Sequence, residues 1–283
     1  MNSLEKPIVS WFKKHKRDLP WRNTTPWGVL VSEFMLQQTP VNRVLPKWNE
    51  WMQRWPTPAE LAKATPAEVI TAWGRLGYPR RALRLHATAQ IISEDFNNQV
   101  PDDPEILRLL PGIGEYTAAA ISAFAFEKRT LVMDVNIRRL LVRAIDGEEH
   151  PKPAPTAREK ARRLTNLPAK NAHIWAAATM ELGALVCTSK NPRCELCPII
   201  SQCQWRKNGY PKTDLVRKSQ DWHGTDRKCR GTIVQALREN ESLTESSIKK
   251  LWPDESQLEK ALKTLLEDQL IQKLPRNRYR LPQ

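Results

Sequence analysis

Four of the five cysteines fall in one window, Cys187-x6-Cys194-x2-Cys197-x5-Cys203, while Cys229 stands apart. Thiols so closely spaced, in a chain long enough to bury its own core, are better suited to sharing a metal than to pairing as disulfides. The Cys194-x2-Cys197 pair suits a tetrahedral zinc site with four thiolate ligands. Structural zinc sites mostly separate two such pairs by a longer loop, however. Single cysteines on either side of one pair also suit a loop wrapped around an iron–sulfur cube. The spacing favours the cluster and leaves zinc open.

Two carboxylates stand where they could do chemistry. Glu33 lies in the mostly apolar helical stretch Gly28-Val29-Leu30-Val31-Ser32-Glu33-Phe34-Met35-Leu36-Gln37-Gln38-Thr39. It is either one of a polar strip with Ser32 and Gln37 or a buried acid facing a cleft. Desolvation would keep it protonated near neutral pH, as a general acid requires. Asp134, in Val132-Met133-Asp134-Val135-Asn136-Ile137-Arg138-Arg139, reads as a helix N-cap. Capping would hold the carboxylate fixed, still able to stabilise a developing cation. Twenty residues before it ends Leu110-Pro111-Gly112-Ile113-Gly114. Its glycines permit a tight turn and leave backbone N–H groups open to a phosphate at the next helix start, although an ordinary turn would read the same way. None of the five histidines has partners suggesting a metal or nucleophile site.

Helices must position these groups. Prolines at 40, 46, 56, 66, 79, 101, 104 and 111 punctuate short periodic segments, which predicts an all-α bundle as far as Phe126. Helices are expected over Pro7–Lys14, Thr130–Ile145 and Pro155–Val186. Past Trp205 the chain turns basic and aperiodic to Arg230. Three helical segments (Gly231–Arg238, Thr244–Leu251, Ser256–Asp268) and a hairpin around Pro275-Arg276-Asn277 then predict a small winged-helix-like unit. Lys and Arg outnumber Asp and Glu by 45 to 31 in the 283 residues, a net charge of +14 that favours a polyanionic partner, nucleic acid before membrane. No apolar run is long enough to span a bilayer, and the basic N-terminus lacks a signal core, so a cytoplasmic location is expected.

Together the Leu-Pro-Gly-Ile-Gly turn, the spaced aspartate and the four-cysteine loop resemble the helix-hairpin-helix DNA glycosylases of the endonuclease III and MutY superfamily, from about Pro7 to Trp205. The resemblance implies a [4Fe-4S] cluster on Cys187, Cys194, Cys197 and Cys203. It also implies a cluster module over 1–24 and 130–205 and a six-helix barrel module with the hairpin over 25–129. These are followed by a basic linker (206–230) and the winged-helix-like domain (231–283). Tyr116 takes the place of the lysine that forms a Schiff base in the bifunctional relatives, so efficient strand cleavage is not expected. The segment from Ser32 to Thr39 resembles the MutY adenine-glycosylase signature, whose glutamate protonates the leaving adenine.

Carried across, that resemblance makes Glu33 the general acid and Asp134 the stabiliser of the sugar cation, with Tyr116 and Asn136 supporting the site. Gln38 and Tyr78, in Leu76-Gly77-Tyr78-Pro79, match residues that wedge into the duplex, and Arg22 matches a position beside the base pocket. Gly112, Gly114, Arg80, Lys190 and Arg193 are expected against the DNA backbone, as are Arg81, Arg84, Arg138 and Arg139. The implied partner is double-stranded DNA carrying a mispaired or oxidised base, met by a monomer.

The pattern is not complete. Val135 stands where many MutY members have Gly, Pro79 replaces a second Tyr, and Leu30 stands where an aromatic is common. The C-terminal domain that usually reads 8-oxoguanine is not recognisable, which leaves the preference between 8-oxoguanine and guanine open. The competing expectations are a thymine or uracil mismatch glycosylase of the same superfamily, against which Gln37-Gln38-Thr39 argues, and a non-enzymatic iron–sulfur DNA-binding protein.

Overall fold

A computed structural model describes residues 4–213 and 224–283. The middle of the expected linker, 214–223, lies outside the described residues. In chain order the helices are α1 (Glu5–His15), α2 (Pro26–Leu36), α3 (Val41–Arg54), α4 (Pro58–Ala62), α5 (Pro66–Trp73), α6 (Arg80–Asp95), α7 (Pro104–Leu109) and α8 (Glu115–Phe126). After them come α9 (Val135–Leu141), α10 (Ala157–Thr165), α11 (Ala172–Leu185), α12 (Gln204–Lys207), α13 (Asp226–Glu239), α14 (Glu245–Lys249) and α15 (Glu255–Glu267). Three short strands, β1 (Leu243–Thr244), β2 (Gln272–Leu274) and β3 (Arg278–Arg280), lie near the C-terminus. Two compact units result. One is Met1–Leu30, Asp102–Leu109 and Ile113–Val216; the other is Val31–Pro101, Leu110–Gly112 and Arg217–Gln283.

The first unit is built on small residues. Ile8 and Phe12 of α1, Ala120 and Ala123 of α8, Leu140 and Leu141 of α9, and Trp175, Ala178 and Leu182 of α11 share one core. Short side chains let α9 approach α11 until backbone meets backbone. A Cβ added to Gly183 would lie 2.5 Å from the Asn136 carbonyl oxygen, so that crossing admits only glycine. The helix expected from Thr130 begins five residues later, at Val135. Asp134 fixes that start by accepting from the Asn136 and Ile137 amides. Val142–Asp146 continues as a wider π turn that ends on Gly147 in the left-handed region. The expected helix over Pro155–Val186 is two, α10 and α11, parted around Asn166 and Pro168.

In the second unit, reciprocal capping boxes start α4 (Thr57 with Glu60) and α5 (Thr65 with Glu68), each with proline in the first turn. Trp51 of α3 packs edge-on to Trp55 and Trp73, with ring centroids 4.9 and 5.5 Å apart. Pro46 departs from the punctuation expected of it. It sits inside α3, whose strongly one-sided burial of Val44, Trp48 and Trp51 outweighs one missing backbone bond.

The C-terminal part runs α13-β1-α14-α15-β2-β3, with antiparallel strand order β1-β3-β2 and Tyr279 paired to both Leu243 and Lys273. Three helices and a hairpin are present as expected, and β1 adds a strand too short to show alternation. Thr225 caps α13 at the Lys228 amide, so the helix expected from Gly231 begins at Asp226. Cys229, Ile233, Leu237, Leu258, Leu265 and Tyr279 share their core with Ile70 of α5. No helix among the described residues is long and apolar enough to cross a membrane.

Candidate functional site

In the first unit, the Asp134 carboxylate is held by its own helix. Oδ1 accepts from the Asn136 amide at 2.7 Å and from the Ile137 amide at 3.4 Å. Two donors on one oxygen fix the side chain at the positive end of α9. Asn136 is fixed in turn: its Oδ1 accepts from Arg139 Nη2 at 2.8 Å, and the same nitrogen donates to the Gly183 carbonyl at 2.6 Å. Arg139 Nε reaches the Cys187 carbonyl at 2.8 Å. One buried guanidinium therefore ties the turn after Asp134 to the cysteine loop. Tyr116, partly buried, packs on the core of this unit.

All four loop cysteines line one cavity with Leu140, Arg143, Val186, Ile199 and Trp205, while Cys229 lies in the other unit's core. All five are free thiols. Burial pushes the Cys197 thiol up to about 12. Among the described residues, no three Cys, His, Asp or Glu side chains are gathered closely enough to ligate a single ion. Arg143, almost wholly buried, donates to Cys187 Sγ (3.4 Å) and to the Thr188 carbonyl (2.8 Å). Its guanidinium lies 4.6 Å from the Trp205 ring centre, and its carbonyl faces Cys203 Sγ at 3.6 Å. Four thiols spread around one cavity, with the Arg143 guanidinium on Cys187, are a donor set that suits a multi-iron cluster better than a single ion. Lys190 and Arg193 are exposed on the same loop, with an Arg193 guanidinium nitrogen on the Leu185 carbonyl.

The hairpin glycines differ. Gly112 has φ +84, and a Cβ there would lie 2.8 Å from the Phe34 ring and 3.0 Å from Arg84. Gly114 is extended and exposed, and a Cβ there would meet nothing within 4 Å. Its surroundings leave the start of α8 open to an approaching backbone.

In the second unit, Glu33 is 6% exposed, flanked by Ser32, Phe34 and Met35 at no measurable exposure. Gln38 and Tyr78 follow α2 and precede α6 respectively, each with positive φ (56 and 49) and each exposed. Arg81 brings their loops together. It donates to the Gln37 carbonyl, to Thr39 Oγ1 at 3.0 Å, and to the Gly77 and Leu76 carbonyls at 3.0 and 3.4 Å. Thr39 Oγ1 adds a bond to the Leu76 carbonyl at 3.1 Å. Arg80 is exposed and pairs with Asp268 at 3.1 Å.

Several arginines expected at a DNA backbone are instead internal. Arg138 pairs with Glu159 at 2.8 Å, and Arg81, Arg138 and Arg139 are all buried. Arg22 pairs with Glu181 at 3.0 Å and lies 5.2 Å from the Phe12 ring centre. Arg143 is an organising residue that the sequence reading missed, and Arg81, expected at the DNA backbone, is a second. The available signal was weak: each follows a turn rich in carbonyls or adjoins the cysteine loop in space, and neither fact is visible in composition.

Residues 31–167 match the model of the HhH-GPD superfamily base excision DNA repair proteins. The chain is 46% identical over 281 residues to an adenine DNA glycosylase of Mycobacterium tuberculosis (strain H37Rv), covering 97% of this chain and 92% of that protein. It is 41% identical to the adenine DNA glycosylase of Mus musculus over 70% of this chain and 40% of the mouse protein. Among solved structures it is similar to a thermostable thymine-DNA glycosylase (TM-score 0.66, 24% identity, 72% of this chain and 94% of that one). It is also similar to endonuclease III in a non-covalent DNA complex (TM-score 0.63, 18% identity, 73% and 95%). At those identities the two structures show the shared fold.

Proposed function

Because this chain belongs to the adenine DNA glycosylases of the MutY type within the HhH-GPD superfamily, we propose that it removes adenine mispaired with 8-oxoguanine or guanine. It is a hydrolase of base excision repair, acting on DNA. The observation that carries the finer reading is Glu33. This residue is 6% exposed within the mostly apolar run of α2, a placement that suits an acid meeting a base sealed from water. It lies immediately before the loop of Gln38, one of the two loops tied by Arg81.

In this reading Gln38 and Tyr78 enter the duplex, and adenine rotates out of the stack at a cost of about a few kcal/mol. Glu33 delivers a proton to ring nitrogen 7 of adenine. The bond from base to sugar then breaks, and its electron pair leaves with the base. Asp134, fixed by two amides, faces the positive charge that develops on the sugar, as the second carboxylate does in glycoside hydrolysis. Water adds to the sugar, and Glu33, now deprotonated, takes the water's proton. Tyr116 and Asn136 shape the sugar side, while Gly112, Gly114, Arg80, Lys190 and Arg193 contact the backbone. Arg22 supports the base pocket from its pair with Glu181.

Cys187, Cys194, Cys197 and Cys203 would hold a [4Fe-4S] cluster, which when bound cross-links the loop between α11 and α12. Arg143 would set that loop against the cluster, and Arg139 would transmit its position to Asn136.

A single-turnover assay tests the reading, on duplexes with adenine opposite 8-oxoguanine, guanine or cytosine and with thymine or uracil opposite guanine. The expected result is loss of adenine from the first two, with nicks that need alkali because Tyr116 cannot form an imine. Thymine or uracil release with adenine untouched would assign the mismatch enzyme instead.

A further inference from the structure

Tyr78 is 42% exposed, yet its ring is held. The Arg227 guanidinium lies 4.4 Å from the ring centre and that of Arg81 5.6 Å, both within cation–π range. Arg227 Nη2 also covers the preceding residue, lying 3.8 Å from where a Gly77 Cβ would be. Arg227 stands in the first turn of α13, in the C-terminal part of the chain, and α13 is firmly seated. Thr225 caps it, Ile233 and Leu237 share a core with Ile70, and Arg238 Nε donates to the Ile70 carbonyl at 3.1 Å. Asp268, at the end of α15, accepts both Arg230 of α13 and Arg80, two residues after Tyr78. A flexible arm would not hold a guanidinium over one exposed ring; a helix anchored at these points does.

We propose that Arg227 is a positioning residue for Tyr78, and that through it the C-terminal winged-helix-like part belongs to the mispair-recognising surface. The proposal deepens the reading above and rests on Tyr78 acting as a wedge. Tyr78 has φ +49, a conformation that non-glycine residues adopt rarely, so its ring direction needs support from outside its own backbone. A planar guanidinium on one face supplies it, and the ring then loses less freedom on entering the duplex. Lysine, with a compact charge and no plane, would supply less of this.

A double-mutant cycle tests it, using equilibrium binding to a duplex bearing a tetrahydrofuran abasic site opposite guanine, relative to intact duplex. That ratio reads the wedge without turnover. Arg227→Ala is expected to lower it by about fivefold and Arg227→Lys by nearly as much. Arg227→Ala should add nothing in a Tyr78→Ala background, and thermal unfolding should show all variants folded. Additive effects would overturn the proposal. So would an equal loss on both duplexes with the salt slope reduced by about one, the signature of a phosphate contact. An unchanged ratio in Arg227→Ala beside a lowered one in Tyr78→Ala overturns this proposal alone. An unchanged ratio in Tyr78→Ala overturns the wedge reading with it. Failure of the adenine reading shows separately, as wild-type protein that leaves adenine in place.

Discussion

In the unit that carries Asp134, carboxylates answer buried Arg138 (Glu159) and Arg163 (Asp146) and half-buried Arg17 and Arg22 (Glu181), while Arg139 and Arg143 hold carbonyls beside the cysteine loop. In the unit that carries Glu33, Arg81 is held by backbone carbonyls and one hydroxyl. Burial lowers its pKa to about 10, with Arg227 and Arg43 adding to the effect and the Tyr78 phenol, not a carboxylate, opposing it. The first arrangement balances charge and makes a scaffold whose parts depend on one another. The second uses a cation to gather loop carbonyls, so its removal frees loops and leaves no charge stranded. The two carboxylates proposed as catalytic stand one in each unit, and substitutions should tell the two kinds of support apart.

The largest effects belong to the carboxylates themselves. Glu33→Gln and Asp134→Asn should each cut single-turnover adenine release by at least about a thousandfold, with binding to the mispaired duplex kept. A much smaller loss at either position would mean that only one unit carries chemistry.

Glu181→Ala probes the charge-balanced scaffold. It leaves Arg17 and Arg22 facing each other without their acid, and should cost about 3 kcal/mol in urea unfolding. Burial works to raise the Glu181 pKa, but hydrogen bonds and charge from Arg17 and Arg22 overcome it and leave it lowered. A folded-state pKa below the unfolded one gives stability that is present above the ordinary value of 4.5 and lost as pH falls through the folded value. Wild type should therefore lose stability on acidification more steeply than Glu181→Ala.

Arg81→Met probes the other support. The carbonyls it leaves behind are buried or half-buried, but removing the cation strands no opposite charge. Unfolding measurements should show a smaller cost, about 2 kcal/mol. Adenine release should fall further than stability does, because both loops lose their shared anchor. A variant as active as wild type would show that the loops hold their own shape.

Which of this was legible in the sequence follows from how local each cause is. The cysteine spacing, the glycine turn and the Asp134 cap are short-range devices, and each is found where its residues indicated. Pro46 misled because its helix is stabilised by burying its own Val44, Trp48 and Trp51, the last against Trp73 of α5, and no local rule contains that packing. The arginines misled most: a net charge of +14 says by how much cations exceed anions, not that Arg81, Arg138, Arg139 and Arg143 are interior. Their acceptors are as many as 48 residues away in the chain. A guanidinium buries well where carbonyls converge, and such convergence is a property of the fold.

The smallest effect on stability lies within the hairpin turn, at Gly114, beside a larger one at Gly112. Gly112→Ala must adopt φ +84 and place a Cβ 2.8 Å from the Phe34 ring, beside Arg84. Strain and overlap together should cost about 2 kcal/mol, and the displaced Phe34 adjoins Glu33, so activity should fall with stability. Gly114→Ala has an ordinary extended backbone and open space, so unfolding should change by less than about 0.5 kcal/mol. Yet the added methyl would stand over the start of α8, where a phosphate would approach the backbone amides. Its binding to intact and mispaired duplex should weaken alike, while Gly112→Ala loses stability first. If Gly114→Ala binds as wild type does, the exposed start of α8 is a turn between helices and holds no phosphate.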